Sequence, residues 1–593
     1  MRRSADQGAL RARVVAGTRV ILMALDLDEA ERSGLRGFAF SRAKGAEAQR
    51  VLRGIKYFAD LVPDPKRGAD YSTREHPIQG FLWSDYQADP DTEYHFTIEA
   101  LYGDIGALEV KHSVDFRIRT EKENDGRHGV WFNRGAIASH ALATEFHNRQ
   151  ITDDMADNVD ENGVLGDEEV RWLSRGLAEA CLAFINGTRA GEGLRVCAYE
   201  FTYLPVLLAL KRAIGRGVDV RIVYHWTKKD DDANAKAIVK AGLPADRLHP
   251  RTRTAIPHNK FIVKIEGGQP TQVWTGSTNF TNTGFFGQTN VGHLVTDDGV
   301  ARTYLDYWQA LSGDPTHIKA VAGARELTSN PPGAIPEGAI ARFYSPRKDD
   351  KMLDWYGQRI RNGASLVILT LPFNVAPGLL SALAAPSEAM RFVILENPPT
   401  AEIDDAERQS EGRLVFSSGG LMGKKFVHRL TGGGEVVPIE GSQLDAWFVE
   451  EELARSINHG HVFFVHSKLL LIDPLSDDPL ICSGSANFSS NSLKQNDENM
   501  LLIRGETRVA DIYFTEFDRI FRHFFARNAV NEIAESGGDR NPLALDTTNA
   551  WMKPHFRQGG YKNNRRLMFF AAEPAAATRW SAKAAQDPTP FVD

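Results

Sequence analysis

His258 and Lys260 stand two apart in PHNKFIVKIEGGQPTQVWTGSTNFT, and His466 and Lys468 stand two apart in VHSKLLLIDPLSDDPLICSGSANFS. In each segment a serine follows its histidine by 19 residues (Ser277, Ser485) and an asparagine by 21 (Asn279, Asn487). Asn290 and Glu498 each lie 32 residues beyond their histidine. Polar offsets that agree at a shift of 208 residues mark an internal duplication, in which side chains able to do chemistry recur together with the apolar frame.

The apolar runs FIVKI and LLLID after each His-x-Lys predict a strand, on which His and Lys project to one face and Asn259 or Ser467 to the other. A turn and a second short strand then lead to Gly-Ser-x-Asn, where glycine lets backbones approach closely and Ser and Asn offer hydrogen bonds. Two such units facing each other would gather two imidazoles, two ammonium groups, two hydroxyls and two carboxamides. That set suits a phosphodiester. The lysines meet the charge on and around phosphorus, while Ser277, Ser485, Asn279 and Asn487 hold non-bridging oxygens. One imidazole attacks phosphorus, and the other protonates the leaving alkoxide and then activates water. The scheme calls for no metal and no cofactor.

With these residues in place, the chain resembles the phospholipase D superfamily, whose signature H-x-K-x4-D followed by G-S-x-N occurs twice in one chain. The second copy matches throughout: His466, Lys468, Asp473, Gly484, Ser485 and Asn487. The first keeps His258, Lys260, Gly276, Ser277 and Asn279 but has Ile265 at the aspartate position, with Glu266 next to it. The resemblance covers roughly residues 165–530. It implies two α/β lobes about a pseudo-two-fold axis through one shared active site, a phosphohistidine intermediate, and a structural part for Asp473. By analogy with such enzymes, Glu498 is expected to orient His466 and Asn290 to orient His258. The carboxylate would then make His466 the nucleophile and His258 the general acid.

The elements around these segments read as α/β. From about residue 165, LSRGLAEACLAFINGT, LRVCAYEFT, LPVLLALKRAIGRG, VDVRIVYHW and DDDANAKAIVKAG alternate helix and strand. The pattern restarts after about 350 with DWYGQRIRNGA, SLVILTLPF, PGLLSALAAP and MRFVILENPP, and it predicts a largely parallel sheet in each half. Residues 1–122 alternate apolar and polar positions between Gly, Pro and Asp breaks, which predicts a small β-sandwich. Within it, Pro90, Thr92, Tyr94, Phe96, Ile98, Ala100 and Gly103 resemble a fibronectin type III strand. The expected organisation is therefore a sandwich over 1–122, lobes over 123–340 and 341–530, and a tail over 531–593 packed on the lobes. YFTEFDRIFRHFFAR is expected as a helix capping the second lobe, with Trp551, Phe556 and Tyr561 packing back.

Composition narrows the function. A length of 593 residues allows several domains, and 42% apolar with 25% charged residues is ordinary for a globular enzyme. Cys181, Cys197 and Cys482 form no CxxC and read as buried thiols. Charges interrupt every apolar run near the N-terminus, and no run is long enough to span a bilayer, so a cytoplasmic chain is expected. The Asp-rich runs, including DENGVLGDEE, read as solvated faces and helix starts rather than as a calcium loop.

A formal net charge of -7 disfavours a nonspecific nuclease. Phospholipid head-group hydrolysis is the leading expectation, with peripheral membrane contact and with Leu371, Phe373, Leu379, Leu380, Leu421 and Met422 as the apolar side chains on offer. A DNA or RNA nuclease is the alternative, for which Arg413, Lys424, Lys425, His428 and Arg429 are the basic candidates. A catalytically degenerate binding scaffold is the third reading, and two complete His/Lys pairs speak against it.

Overall fold

The computed structural model describes residues 1–66, 69–135, 146, 151–373, 375–419, 428–430, 436–438, 465–535, 541 and 543–570. In both His-x-Lys strands, Lys260–Glu266 and Leu469–Ile472, the apolar positions are consecutive, and each strand has a core on both of its faces. Phe261 and Val263 join Leu469 and Leu471 in one core, whereas Ile262 and Leu470 face separate outer cores.

Each strand sits at the middle of a seven-stranded sheet. The first sheet runs His128–Phe132, Val291–Thr296, Gln269–Gly276, Lys260–Glu266, Gly193–Ala198, Asp219–His225, Leu248–Arg251. The second runs Ile340–Ser345, Glu498–Arg504, Leu480–Gly484, Leu469–Ile472, Leu366–Leu371, Met390–Leu395, Leu414–Ser418 in the same order. The duplication inferred from polar offsets is thus a duplication of topology.

The sheets are mixed rather than largely parallel. Only the last three strands of each run parallel, joined by helices Leu204–Gly215 and Ala233–Ala241 in one lobe and Pro377–Ala384 and Ala401–Gln409 in the other. The His-x-Lys strand is antiparallel to both neighbours because it enters a hairpin that ends in Gly-Ser-x-Asn. Alternation of helix and strand could not reveal that, since the hairpin strands read as equally apolar.

Two further differences concern helices. LSRGLAEACLAFINGT is not one helix: Glu168–Ser174 stops at Arg175 and Gly176, both at positive φ, and Leu177–Asn186 starts afresh. The break aims Arg175 at Glu516, 2.6 Å away in a buried ion pair. The helix Thr507–Glu535 is not a cap on the second lobe. It lies with Asp298–Ser312 between the two sheets, and Tyr513, Phe514, Phe517 and Phe521 share a core with Phe132 of the first lobe and Ile481 of the second. The acidic run ahead of helix Glu168–Ser174 resolves as turn and cap: Asp160 accepts the N–H groups of Asn162 and Val164, and Asp167 those of Glu169 and Val170. All three cysteines are buried and unpaired.

The N-terminal residues form two four-stranded antiparallel sheets around one core. One sheet is Arg2–Gln7, Leu10–Ala16, Ile21–Leu27, Leu82–Asp85, and the other is Ala107–Arg119, Glu93–Asp104, Gly37–Lys44, Arg50–Val51. At the start of its strand, the Tyr94 hydroxyl accepts the Asp89 N–H at 2.8 Å, which explains the Pro-x-Thr-x-Tyr pattern as a stapled corner. The described part of the tail packs on this sandwich as well as on the second lobe. Trp551 stacks on Phe81, and Arg566 pairs with Asp26 at 2.7 Å, while Phe569 meets Phe514. No helix among the described residues is long and apolar enough to cross a membrane.

The sandwich is fastened to the central helix by a buried pair. Arg2 and Asp511 lie 2.7 Å apart with side chains only 2% and 3% exposed, and the Arg2 guanidinium also reaches the carbonyls of Pro474 and Leu475. Removing one partner of such a pair strands a buried charge, at a cost of about 3–5 kcal/mol. Arg2→Ala should therefore lower the melting temperature by several degrees, whereas Arg504→Ala, which breaks a pair with Asp478 at the surface, should cost under about 1 kcal/mol. A chain beginning at residue 123 should aggregate, because it uncovers the sandwich-facing side of the central helix. Thermal melts and size-exclusion chromatography check both; a soluble, monodisperse truncation would refute the dependence.

Candidate active site

The Gly-Ser-x-Asn turns explain the local geometry. A Cβ on Gly276 would sit 2.2 Å from the Val291 carbonyl oxygen, and one on Gly484 2.2 Å from that of Asn499. Only glycine lets these strand ends lie so close. The following serine then donates its hydroxyl across to the next strand: Ser277 Oγ to Asn290 Oδ1 at 2.8 Å, and Ser485 Oγ to Glu498 Oε2 at 2.6 Å. Both serines, expected to touch substrate, have their hydroxyl protons committed to these side chains.

Asn290 and Glu498 hold the histidines, but the pairing is crossed relative to the sequence-based expectation. His258 Nδ1 lies 2.9 Å from Glu498 Oε2, and His466 Nδ1 lies 2.9 Å from Asn290 Oδ1. Each lobe supplies the support for the other lobe's imidazole. Short parallel bridges, Ile256 with Asn496 and Thr289 with Val465, bring each histidine loop beside the opposite lobe. Asn290 donates its amide to the Gly284 carbonyl, so its oxygen faces His466 as an acceptor, and Asn290 is a support for histidine rather than a phosphate ligand. With Nδ1–H donating on both rings, the two Nε2 atoms are left carrying the lone pairs.

Glu498 is buried yet collects donors: His258, Ser485, Ser492 at 2.6 Å and Asn496 at 3.1 Å. These, with the nearby Lys260, hold its carboxyl below the usual range despite burial. The four basic groups are lowered as well, which for them disfavours the charged form. Burial brings His258 down to about 4 even against Glu498, and pushes Lys260 down to about 8. Burial also lowers Lys468 and His466 strongly, helped by Lys260, and His466 feels Lys468 and His258 as well. Groups from both lobes therefore share one electrostatic environment. Each lysine ammonium donates to the carbonyl of its own histidine, Lys260 at 2.5 Å and Lys468 at 2.6 Å.

Asn279 and Asn487 lie buried with amide oxygens that accept no hydrogen bond from any described residue. Two acidic and aromatic neighbours escaped the sequence reading. Glu200 accepts a hydrogen bond from the Asn279 amide, and the Tyr199 ring packs 5.1 Å from His258 and 5.2 Å from the Lys260 ammonium. They follow the strand Gly193–Ala198 at its carboxyl end, beside the His-x-Lys strand, and a charged residue closing an apolar strand was the available signal. Continuing the strand register beyond Leu371 assigns Phe373 to the corresponding position of the second lobe.

Asp473 lies at the far end of its strand from the site. It accepts the N–H groups of Ala364, Ser365 and Leu366, so it fixes the turn between helix Lys351–Asn362 and strand Leu366–Leu371. In the first lobe Ile265 packs against Gly193, and Glu192 accepts the Arg189 N–H while Lys264 bridges Glu192 and Glu266. The missing aspartate is thus replaced by another closure of the same turn. Of the basic nuclease candidates, Arg413 is paired with Glu388, Lys424 and Lys425 lie outside the described residues, and so do the side chains of His428 and Arg429. Of the apolar candidates, Leu371 and Leu379 are core, Leu380 is half-buried, Phe373 is 46% exposed, and Leu421 and Met422 are outside the described residues.

A family model described as "Cardiolipin synthase, PLD-like domain" matches residues 183–311 and 441–521. No curated protein sequence matches. Among solved structures, phosphatidylserine synthase of Haemophilus influenzae Rd KW20 is 11% identical, with a TM-score of 0.39, over 61% of this chain and 92% of that one. Nuc from Salmonella typhimurium, a phospholipase D family member, is 28% identical over 22% of this chain and 82% of that one, with a TM-score of 0.19. Yeast tyrosyl-DNA phosphodiesterase is 13% identical over 55% and 87%, with a TM-score of 0.27.

Four basic groups held partly deprotonated by burial should regain protons when an anion enters. Binding of inorganic phosphate or tungstate is expected to take up protons near pH 8, so affinity falls as pH rises through the Lys260 transition. Titration calorimetry in buffers of different ionisation enthalpy measures the uptake. A binding heat independent of buffer would contradict the shifted lysines.

Proposed function

The paired lobes of this chain belong to the phospholipase D superfamily, and from that premise we propose a phosphodiesterase that works by double displacement, with His258 as nucleophile and His466 as general acid and base. The observation that carries this reading is the crossed support of the two imidazoles, a carboxylate behind His258 and a neutral amide behind His466. Glu498 enriches the His258 ring and stabilises the positive charge it gains on attack. Asn290 fixes the His466 tautomer without adding charge, which leaves its imidazolium the stronger acid. The same physical argument that pointed to His466 from the sequence therefore selects His258 once the partners are exchanged.

In the first step His258 Nε2 attacks phosphorus, the bond to the leaving oxygen breaks, and that oxygen takes a proton from His466. In the second, His466 Nε2 takes a proton from water, the oxygen attacks phosphorus, and the P–N bond breaks to return neutral His258. Lys260 and Lys468 neutralise the non-bridging oxygens, and the anionic substrate restores the protons that burial removes from the empty site.

For the substrate we propose a phospholipid diester. The matching family's description names a cardiolipin synthase, the chain's net charge is -7, and exposed Phe373 stands level with His466 as an apolar contact. Access would be by peripheral contact with a lipid surface. A nucleic-acid diester is the competing substrate, to be offered in the same assays.

With a p-nitrophenyl diester, whose leaving group needs no acid, His466→Ala should accumulate a stable phosphoenzyme, with label on the peptide containing His258. His258→Ala should give none and should lose at least about a thousandfold in turnover. Lys260→Ala and Lys468→Ala should each cost about a hundredfold. Turnover should persist in EDTA, because lysines carry the phosphate charge. Label on the His466 peptide would reverse the assignment, and loss of activity on chelation with recovery on adding a divalent ion would end the mechanism.

A further inference from the structure

The two halves of the site also differ where the strands Gly193–Ala198 and Leu366–Leu371 run out toward the histidines. By strand register, Glu200 is level with His258 in the first lobe, and Phe373 is level with His466 in the second. Glu200 is half-buried and held on both sides: its carbonyl accepts the Phe280 N–H at 3.1 Å, and the next N–H, of Phe201, goes to Asn234 at 2.7 Å. Its Oε2 accepts the Asn279 amide, its other oxygen accepts from no described residue, and its charge acts on both Lys260 and Lys468.

We propose that Glu200 is a specificity residue that selects by charge: it favours a phosphodiester with an ester arm carrying an ammonium group, as in amino-alcohol phospholipids, and disfavours one with a second phosphate nearby. This rests on the phosphodiesterase reading above. The charge balance supports it. Once Lys260 and Lys468 are both protonated they are matched by two carboxylates, Glu498 and Glu200, and the proton that His466 must carry as general acid matches the single charge of a diester. A further phosphate brings a charge that no buried cation is left to meet, and it approaches a carboxylate held in place. An ammonium meets the unpaired oxygen of that carboxylate. The selection is one-sided, since the equivalent position is an exposed phenylalanine.

Three soluble diesters with p-nitrophenol as common leaving group separate the possibilities: p-nitrophenylphosphocholine, bis(p-nitrophenyl) phosphate, and the p-nitrophenyl 5′-ester of thymidine 3′,5′-bisphosphate. Wild type should show kcat/KM falling in that order, and raising the salt concentration should narrow the spread. Glu200→Gln, which keeps an acceptor for Asn279, should shrink the ratio of the first to the third about tenfold, lowering the first and raising the third. An unchanged ratio, an equal loss on all three (a residue that only positions Asn279), or a wild type that prefers the bisphosphate would each overturn the proposal. The wild-type order and its salt response test it even if the variant does not fold. Hydrolysis of none of the three by wild type would instead count against the phosphodiesterase reading itself.

Discussion

Two lysines and two histidines occupy one buried region, and taking four basic groups out of water sets the terms for everything around them. Without nearby anions such a cluster cannot hold its charge, and the lowered proton affinities of His258, Lys260, His466 and Lys468 express that. Glu498 is the main internal counter-charge. It keeps its own charge in a buried position only because Ser485, Ser492, Asn496 and His258 all donate to it. The Gly-Ser turn, the close strand approach it allows and the loop before each histidine are the means by which those donors converge. A cluster of bases that burial holds short of full charge is one that an entering anion would stabilise.

The chemistry-bearing residues could be read from the sequence because duplication doubles the signal. His258 and His466, Lys260 and Lys468, and the two Ser-x-Asn pairs stand at matching offsets, and the sheets that carry them have the same strand order. The partnership between lobes was not readable, for a geometric reason. About a pseudo-two-fold axis, a contact within one lobe and the equivalent contact across lobes join the same pair of motif positions, so offsets alone cannot separate them. Only the bridges Ile256–Asn496 and Thr289–Val465 decide that Glu498 serves His258 and Asn290 serves His466. The same holds for Thr507–Glu535. Its amphipathic pattern shows a buried face, but burial against two lobes and a sandwich at once is a property of the assembled fold.

The lost aspartate at Ile265 illustrates why a motif position and a catalytic position differ. Asp473 works by closing the turn that starts a neighbouring strand, well away from the imidazoles, and in the first lobe Glu192, Lys264 and Glu266 close the equivalent turn. A substitution that leaves the strand register intact leaves the His and Lys side chains where they were. Nothing in the geometry of His258 or Lys260 depends on a carboxylate at Ile265.

A double displacement needs its two histidines to do different things, while an ideal two-fold site would offer a diester two equivalent orientations and halve the fraction bound productively. The chain breaks its symmetry at several positions, and two of them place negative charge on the His258 side: Glu498 against Asn290, and Glu200 against Phe373. The first difference separates nucleophile from acid in the proposed cycle. The second gives the two ester arms unlike surroundings, one charged and one apolar, so that one orientation of an unsymmetrical diester is favoured over its reverse. Each asymmetry alone would bias the reaction. They act together, because the carboxylate that makes His258 the better nucleophile and the one that sorts the ester arms lie on the same side of the axis.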